Sequence, residues 1–199
     1  MTTKDFSANL FALFITIISI VILIISVVFA LNSHVSGTEL KEIQASAEKL
    51  VTANFDTATY FGIASLSPSP DYQAKDYPAG VVPCSTEIFT SYNELYDFIN
   101  NTYVSNTSAI LLNSETNGIK RYSEINGKLC MAVVTPKIDY SYDWSTYKLQ
   151  LTNVKNDSAD IIVTMNYKTS GQVSHNGTNM LKLKMVKQNG KWLLGNFVY

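Results

Sequence analysis

Cysteine, histidine and arginine are all scarce in this chain: it has two cysteines, two histidines and a single arginine, Arg121. His34 and His175 fall in no metal-ligand spacing with each other or with a cysteine, so neither a zinc site nor any other metal centre is expected. A glycine-rich phosphate loop, a GxSxG elbow and a CxxC pair are missing too, which removes the common nucleotide-binding, serine-hydrolase and thiol-redox classes. Cys84 and Cys130 sit in the apolar contexts GVVPC and KLCMAVV, where a thiol pKa rises and the group becomes inert. Asp139 and Asp143 lie four residues apart in a tyrosine-rich stretch, and nothing marks them as an acid/base couple. The expectation is a protein without catalytic residues, metal or cofactor.

Charge is absent over residues 6–31, FSANLFALFITIISIVILIISVVFAL. Roughly 20 apolar residues cross a bilayer's hydrocarbon core, so this run is long enough to span it with tilt to spare. A cleaved signal peptide is the rival, with Val28 and Ala30 at suitable positions before a cut. Against it stand an apolar stretch about twice the usual 7–15 residues and a leading segment, MTTKD, without net side-chain charge. The organisation expected is a short tail and transmembrane helix over 1–31, a connector over 32–37 and one domain over 38–199. The weak bias of Lys4 and the amino terminus on one side against Glu39, Lys41 and Glu42 on the other puts that domain outside the cytoplasm, on a single-pass cell-membrane protein.

Residues 32–199 carry 14 basic and 15 acidic side chains, so net charge draws the domain to neither nucleic acid nor anionic lipid. The distribution is uneven. Residues 32–118 hold only three basic groups (Lys41, Lys49, Lys75) against 10 acidic ones, while 119–199 hold 11 against 5. Either the domain is electrically two-faced, or these are ordinary solvated surfaces.

What is present is a change of period. Ser36-Gly-Thr-Glu39 has the form of a capping box, and Leu40, Ile43, Ala47, Leu50, Ala58 and Phe61 follow at helical spacing, interrupted by Asn54. One long helix over 38–61 is expected, then a proline-bearing loop over 62–80 and a short edge strand over 80–84 containing Pro83. Ser91-Tyr-Asn-Glu94 predicts a second box opening a helix over 92–101, with a shorter helix at 107–112. From 119 onward apolar residues alternate, and Asn126-Gly127 and Asn189-Gly190 signal hairpins. The pattern predicts an α+β domain with helices on one curved antiparallel meander, cystatin-like or cone-like.

Between two expected strands runs TPKIDYSYDWSTY, residues 135–147. Asp139, Tyr140, Tyr142, Asp143 and Trp144 make it aromatic and acidic, a composition that supplies contact area at low entropy cost, and these are the candidate partner-binding residues. The alternative is that the aromatics merely pack on the sheet. Cys84 and Cys130 are the possible disulfide pair in an oxidising compartment, or else two buried thiols.

The segments SYNELYDFINNTYVSNTSAILLN (91–113), YSEINGKL (122–129) and LKMVKQNGKWLLGNFVY (183–199) together resemble the bacterial DL-endopeptidase inhibitor (IseA-like) family over about residues 80–199. The resemblance implies a Gram-positive surface protein that restrains peptidoglycan hydrolases, namely cysteine peptidases cutting stem peptides, by blocking their cleft. One departure is the retained N-terminal helix, where the better-known pattern has a removable signal peptide. The matching positions look structural (Gly127, Leu129, Gly190, Trp192) and transfer no inhibitory site. A non-catalytic module of an envelope complex and a cone-fold enzyme are the other functional classes weighed.

Overall fold

The computed structural model describes residues 35–134, 140–144, 147–169 and 176–199. The apolar run at 6–31, His34, Asp139 and His175 lie outside the described residues. Among the described residues, no helix is long and apolar enough to cross a membrane.

Helix α1, Gly37–Thr57, opens on the expected capping box. Ser36 Oγ accepts from the Glu39 amide at 3.3 Å, and the Glu39 carboxylate accepts from the Ser36 amide at 3.0 Å. These bonds favour the ionised carboxyl and hold Glu39 below the usual carboxylate range. Its buried stripe, Ile43, Ala47, Leu50, Val51 and Phe55, recurs at three- and four-residue spacing and faces the core. Asn54, the polar break in that stripe, is itself fully buried: its amide donates to the Val198 carbonyl at 2.8 Å, and its Oδ1 accepts from the Tyr103 hydroxyl at 3.0 Å. The helix widens into a π-turn over Ala58–Ile63 instead of continuing regularly to 61. The reason lies in Arg121. Its guanidinium donates to the Tyr60 carbonyl through Nε at 3.0 Å and Nη2 at 2.9 Å, and also to the Ala64 carbonyl. A buried cation thus satisfies carbonyls that the helix end leaves without intrahelical partners.

The loop that follows is not wholly irregular. Ser69 donates its amide to Pro83 O at 2.8 Å and Ser85 to Ser67 O at 2.7 Å, which covers the outer edge of strand β1, Val81–Pro83. Helix α2, Tyr92–Thr102, starts at Ser91, whose side chain accepts from the Glu94 amide at 3.2 Å. The reciprocal half of that expected box is displaced by one residue. Glu94 accepts instead from the Thr90 amide and hydroxyl, both at 2.7 Å. Helix α3, Ser105–Leu112, follows after a two-residue break.

The strands correct the expectation of a single meander. Glu115–Thr116 (β2) and Ile119–Lys120 (β3) form a minimal hairpin of their own. Tyr122–Ile125 (β4) and Lys128–Ala132 (β5) join β1 in a three-stranded sheet of order β1-β5-β4. Tyr140–Tyr142 (β6), Lys148–Thr152 (β7), Ser158–Thr169 (β8), Asn176–Gln188 (β9) and Lys191–Leu194 (β10) form the second sheet, ordered β10-β9-β8-β6. Strand β7 pairs with β8 beside β6, so the two short strands share one edge of β8 in succession. Among the described residues every pairing between these strands is antiparallel. Asn117-Gly118, Asn126-Gly127 and Asn189-Gly190 all take positive φ, the twist-matched hairpin turn for which Asn-Gly is suited.

One apolar core runs through both sheets. It joins Ile43, Leu50 and Phe55 of α1 to Leu95 and Ile99 of α2, to Leu129 and Met131 of β5, and to Ile161, Val163, Leu183 and Met185 of the long β8–β9 ribbon. The domain is a mixed α+β structure with open antiparallel sheets.

Candidate functional site

Strand β6 places the aromatic segment at the far end of the β8–β9 ribbon. Its register is Tyr140↔Thr169, Ser141↔Lys168 and Tyr142↔Tyr167, and Asp143 extends the ladder by donating its amide to Asn166 O at 2.9 Å. Pleat alternation puts Tyr142 and Tyr167 on the core-facing side, in line with Met165 and Val163. The chain then turns onto α1. The Trp144 ring lies 4.1 Å, centroid to centroid, from Phe55 at 32°, and Tyr147 meets the same phenyl edge-on at 5.1 Å.

Tyr142 is held from three sides. Its ring lies 5.0 Å from Trp144 and 6.5 Å from Tyr167, and its hydroxyl accepts from the Asn179 amide at 2.8 Å. Tyr167 in turn lies across Gly177 on β9, where an added Cβ would come within 2.6 Å of the ring. Only glycine leaves that space, so the aromatic layer depends on a residue without a side chain opposite it. Asp143 is exposed between its two half-buried aromatic neighbours. A depression of about 600 Å³ adjoins the segment, lined by Tyr142, Asp143, Asn166, Tyr167, Lys168 and Thr178 among others. A larger one, about 790 Å³, lies at the opposite end of the ribbon around Val154 and Met185, and no candidate residue lines it.

Of the five sequence-selected residues, Tyr142, Asp143 and Trp144 are thus brought together. Tyr140 is placed by its backbone in β6, and Asp139 lies outside the described residues. Sequence reading missed Phe55, Tyr147, Tyr167 and Asn179. Tyr167 was within reach, since it continues the alternation Ile161, Val163, Met165; Asn179 carried no such mark.

The two cysteines are both free and buried. Pro83 pairs with Cys130, and Cys84 donates its amide to Leu129 O at 2.9 Å, so the thiols occupy successive positions of the β1–β5 ladder and emerge on opposite faces. Burial, with the neighbouring Cys130, pushes the Cys84 thiol up to about 12, and burial raises Cys130 as well. Neither group is a thiolate at neutral pH, and so neither is poised as a nucleophile. Among the described residues, no three of His, Cys, Asp or Glu are grouped to hold a metal ion. No family model matches the chain, and no curated protein matches it. What the described geometry brings together is two anchored aromatics, an exposed acidic residue between them and a depression alongside.

Proposed function

We propose that this chain is a membrane-anchored, extracytoplasmic binding protein that inhibits peptidoglycan DL-endopeptidases by occluding their active-site cleft. The observation that carries it is the fixation of the aromatic segment. Trp144 rests on Phe55 and Tyr142 is tied to Asn179, so Asp143 is presented on a surface that is ordered before any partner arrives. A surface fixed in advance loses little conformational entropy on binding, and this favours inhibition by occupation. The raised thiol pKa values support a partner that binds without reacting.

On this proposal the packing of α1 against the antiparallel sheet is of the cystatin-like or cone-like kind, residues 6–31 hold the domain at the outer face of a Gram-positive cell membrane, and the target is a cysteine peptidase of the wall. The test mixes the full chain, in neutral detergent, with a purified DL-endopeptidase and follows cleavage of a stem-peptide substrate. Cleavage is expected to fall as inhibitor is added. Full activity at about micromolar excess would sink the proposal.

A further inference from the structure

Strand β9 is 13 residues long, but β10 pairs only with residues 185–188 of it. Which backbone groups are left over follows from the first position beyond that pairing. Lys184 O accepts from the Gly195 amide at 2.8 Å, and the Lys184 amide donates to Asn196 Oδ1 at 2.7 Å, so both groups point away from β8. Direction alternates along a strand, so Lys182, Met180 and Thr178 turn their backbone groups the same way. The Asn196 side chain stands in for one further strand residue by donating to Lys182 O at 3.0 Å. Asn179 Oδ1 closes another position by accepting from the Met180 amide at 2.8 Å. Among the described residues, nothing bonds to the Lys182 amide, the Met180 carbonyl or either backbone group of Thr178. All three residues are exposed, Met180 at 54%.

We infer that this open edge of β9 is a docking site for an extended polypeptide, which joins the sheet as a further strand. The class of occupant follows from what the edge displays. Amide donors and carbonyl acceptors stand in one line about 6.8 Å apart, the repeat of a second extended peptide backbone. Proteins close unwanted edges with proline, charge or very short strands. Residues 177–181 contain neither a proline nor a charged side chain. The exposed side chains then narrow the sequence that fits. A residue of the added strand beside Met180 gains by being apolar, and the one two positions on, beside Lys182, gains by being acidic. In the register, Asp160 lies across from Lys184, whereas Lys182 lies across from Ile162. Strand β6 lies on the opposite side of β8, so the inference does not rest on the inhibitor proposal.

The probe is a labelled heptapeptide, Thr-Val-Thr-Glu-Thr-Val-Thr, titrated against the full chain in neutral detergent and read by fluorescence anisotropy. Half-saturation is expected below about 1 mM. Two further peptides carry N-methyl groups on alternate residues, one on the Val and Glu nitrogens and the other on the Thr nitrogens. In an added strand only one of these sets faces β9, so one peptide should lose binding and the other should stay within about threefold. Thr178→Pro removes an edge amide that points away from β8, so it should keep the thermal midpoint and weaken binding at least about tenfold. Lys182→Glu keeps every backbone group and decides the matter if the proline disturbs the sheet. It should weaken this peptide about fivefold and favour the version with Lys in place of Glu. Absent binding at about 1 mM, equal effects of the two methylated sets, or binding that neither protein variant changes overturns the inference. A dimer of the full chain in sedimentation that Thr178→Pro converts to monomer overturns it in favour of a second copy on this edge.

Discussion

The hydroxyl of Tyr103, at the end of α2, donates to the side-chain oxygen of Asn54 on α1 at 3.0 Å, and both groups are shut away from water. The same asparagine gives its amide to Val198, so one buried side chain joins two helices and the segment after β10. Asn54→Leu removes both bonds and strands the Tyr103 hydroxyl and the Val198 carbonyl. It should cost about 2–4 kcal/mol in urea unfolding. Tyr103→Phe should cost less, and the double variant should recover part of the loss because no buried hydroxyl is then left over. Strict additivity would count against the coupling.

Arg121 predicts a non-conservative outcome for a conservative change. A lysine has one ammonium where the guanidinium reaches the Tyr60 and Ala64 carbonyls together. Arg121→Lys should therefore destabilise by about 1–3 kcal/mol, and hydrogen exchange should rise first in the turn after α1.

In the aromatic segment the ring of Trp144 and the carboxylate of Asp143 should separate in their effects. Trp144→Ala empties the space against Phe55 and should cost about 2 kcal/mol of stability together with inhibition. Asp143→Lys reverses the charge of an exposed residue, so it should weaken inhibition while lowering the thermal midpoint less than Trp144→Ala does. Inhibition insensitive to both would remove the segment from the binding surface.

Alkali should unfold the domain earlier than acid groups alone would suggest. Burial pushes Cys84 and Tyr122 up to about 12, and it raises Tyr103 further. In the unfolded chain a thiol ionises near 8.5 and a phenol near 10. The native state therefore retains protons that the unfolded state has released, and this contribution to stability is complete below about pH 8.5 and falls as pH climbs toward 12. The loss approaches roughly 1.4 kcal/mol per pH unit for each such group. Urea midpoints at pH 8, 9.5 and 11 should decline, and Tyr122→Phe should flatten the decline. A midpoint constant across that range would contradict the assignment.

Thiol titration checks the ladder geometry. The native protein should react with neither mole of a thiol reagent over minutes, and the denatured, unreduced protein should react with two. Fewer than two in denaturant would show a bridge in place of the free pair.

Much of this fold was readable because its determinants are local. The Ser36–Glu39 cap, the stripe on α1 and the Asn126-Gly127 and Asn189-Gly190 turns act within a few residues, so spacing alone locates them. The division of the strands into two sheets was not readable, since β1 reaches β5 across nearly fifty residues and alternation looks the same in either sheet. Asn117-Gly118 carried the hairpin signature too, but the flanking strands are only two residues long and offer no alternation to notice. At the candidate site the aromatic composition of 140–144 was legible, while its anchors were not. Phe55 belongs to a helix far off in sequence, and Asn54 read as a flaw in the stripe until its partners in α2 and near residue 198 were in view.

The bond from Asn54 to Val198 spans 144 residues. At synthesis rates of about 5–20 residues per second, α1 leaves the ribosome some 7–30 seconds before the carbonyl that satisfies its buried amide has been made. Throughout that interval the stripe from Ile43 to Phe55 lacks the ribbon that covers it. Closure of the domain around α1 is thus a late event, completed only after residue 198 has been made.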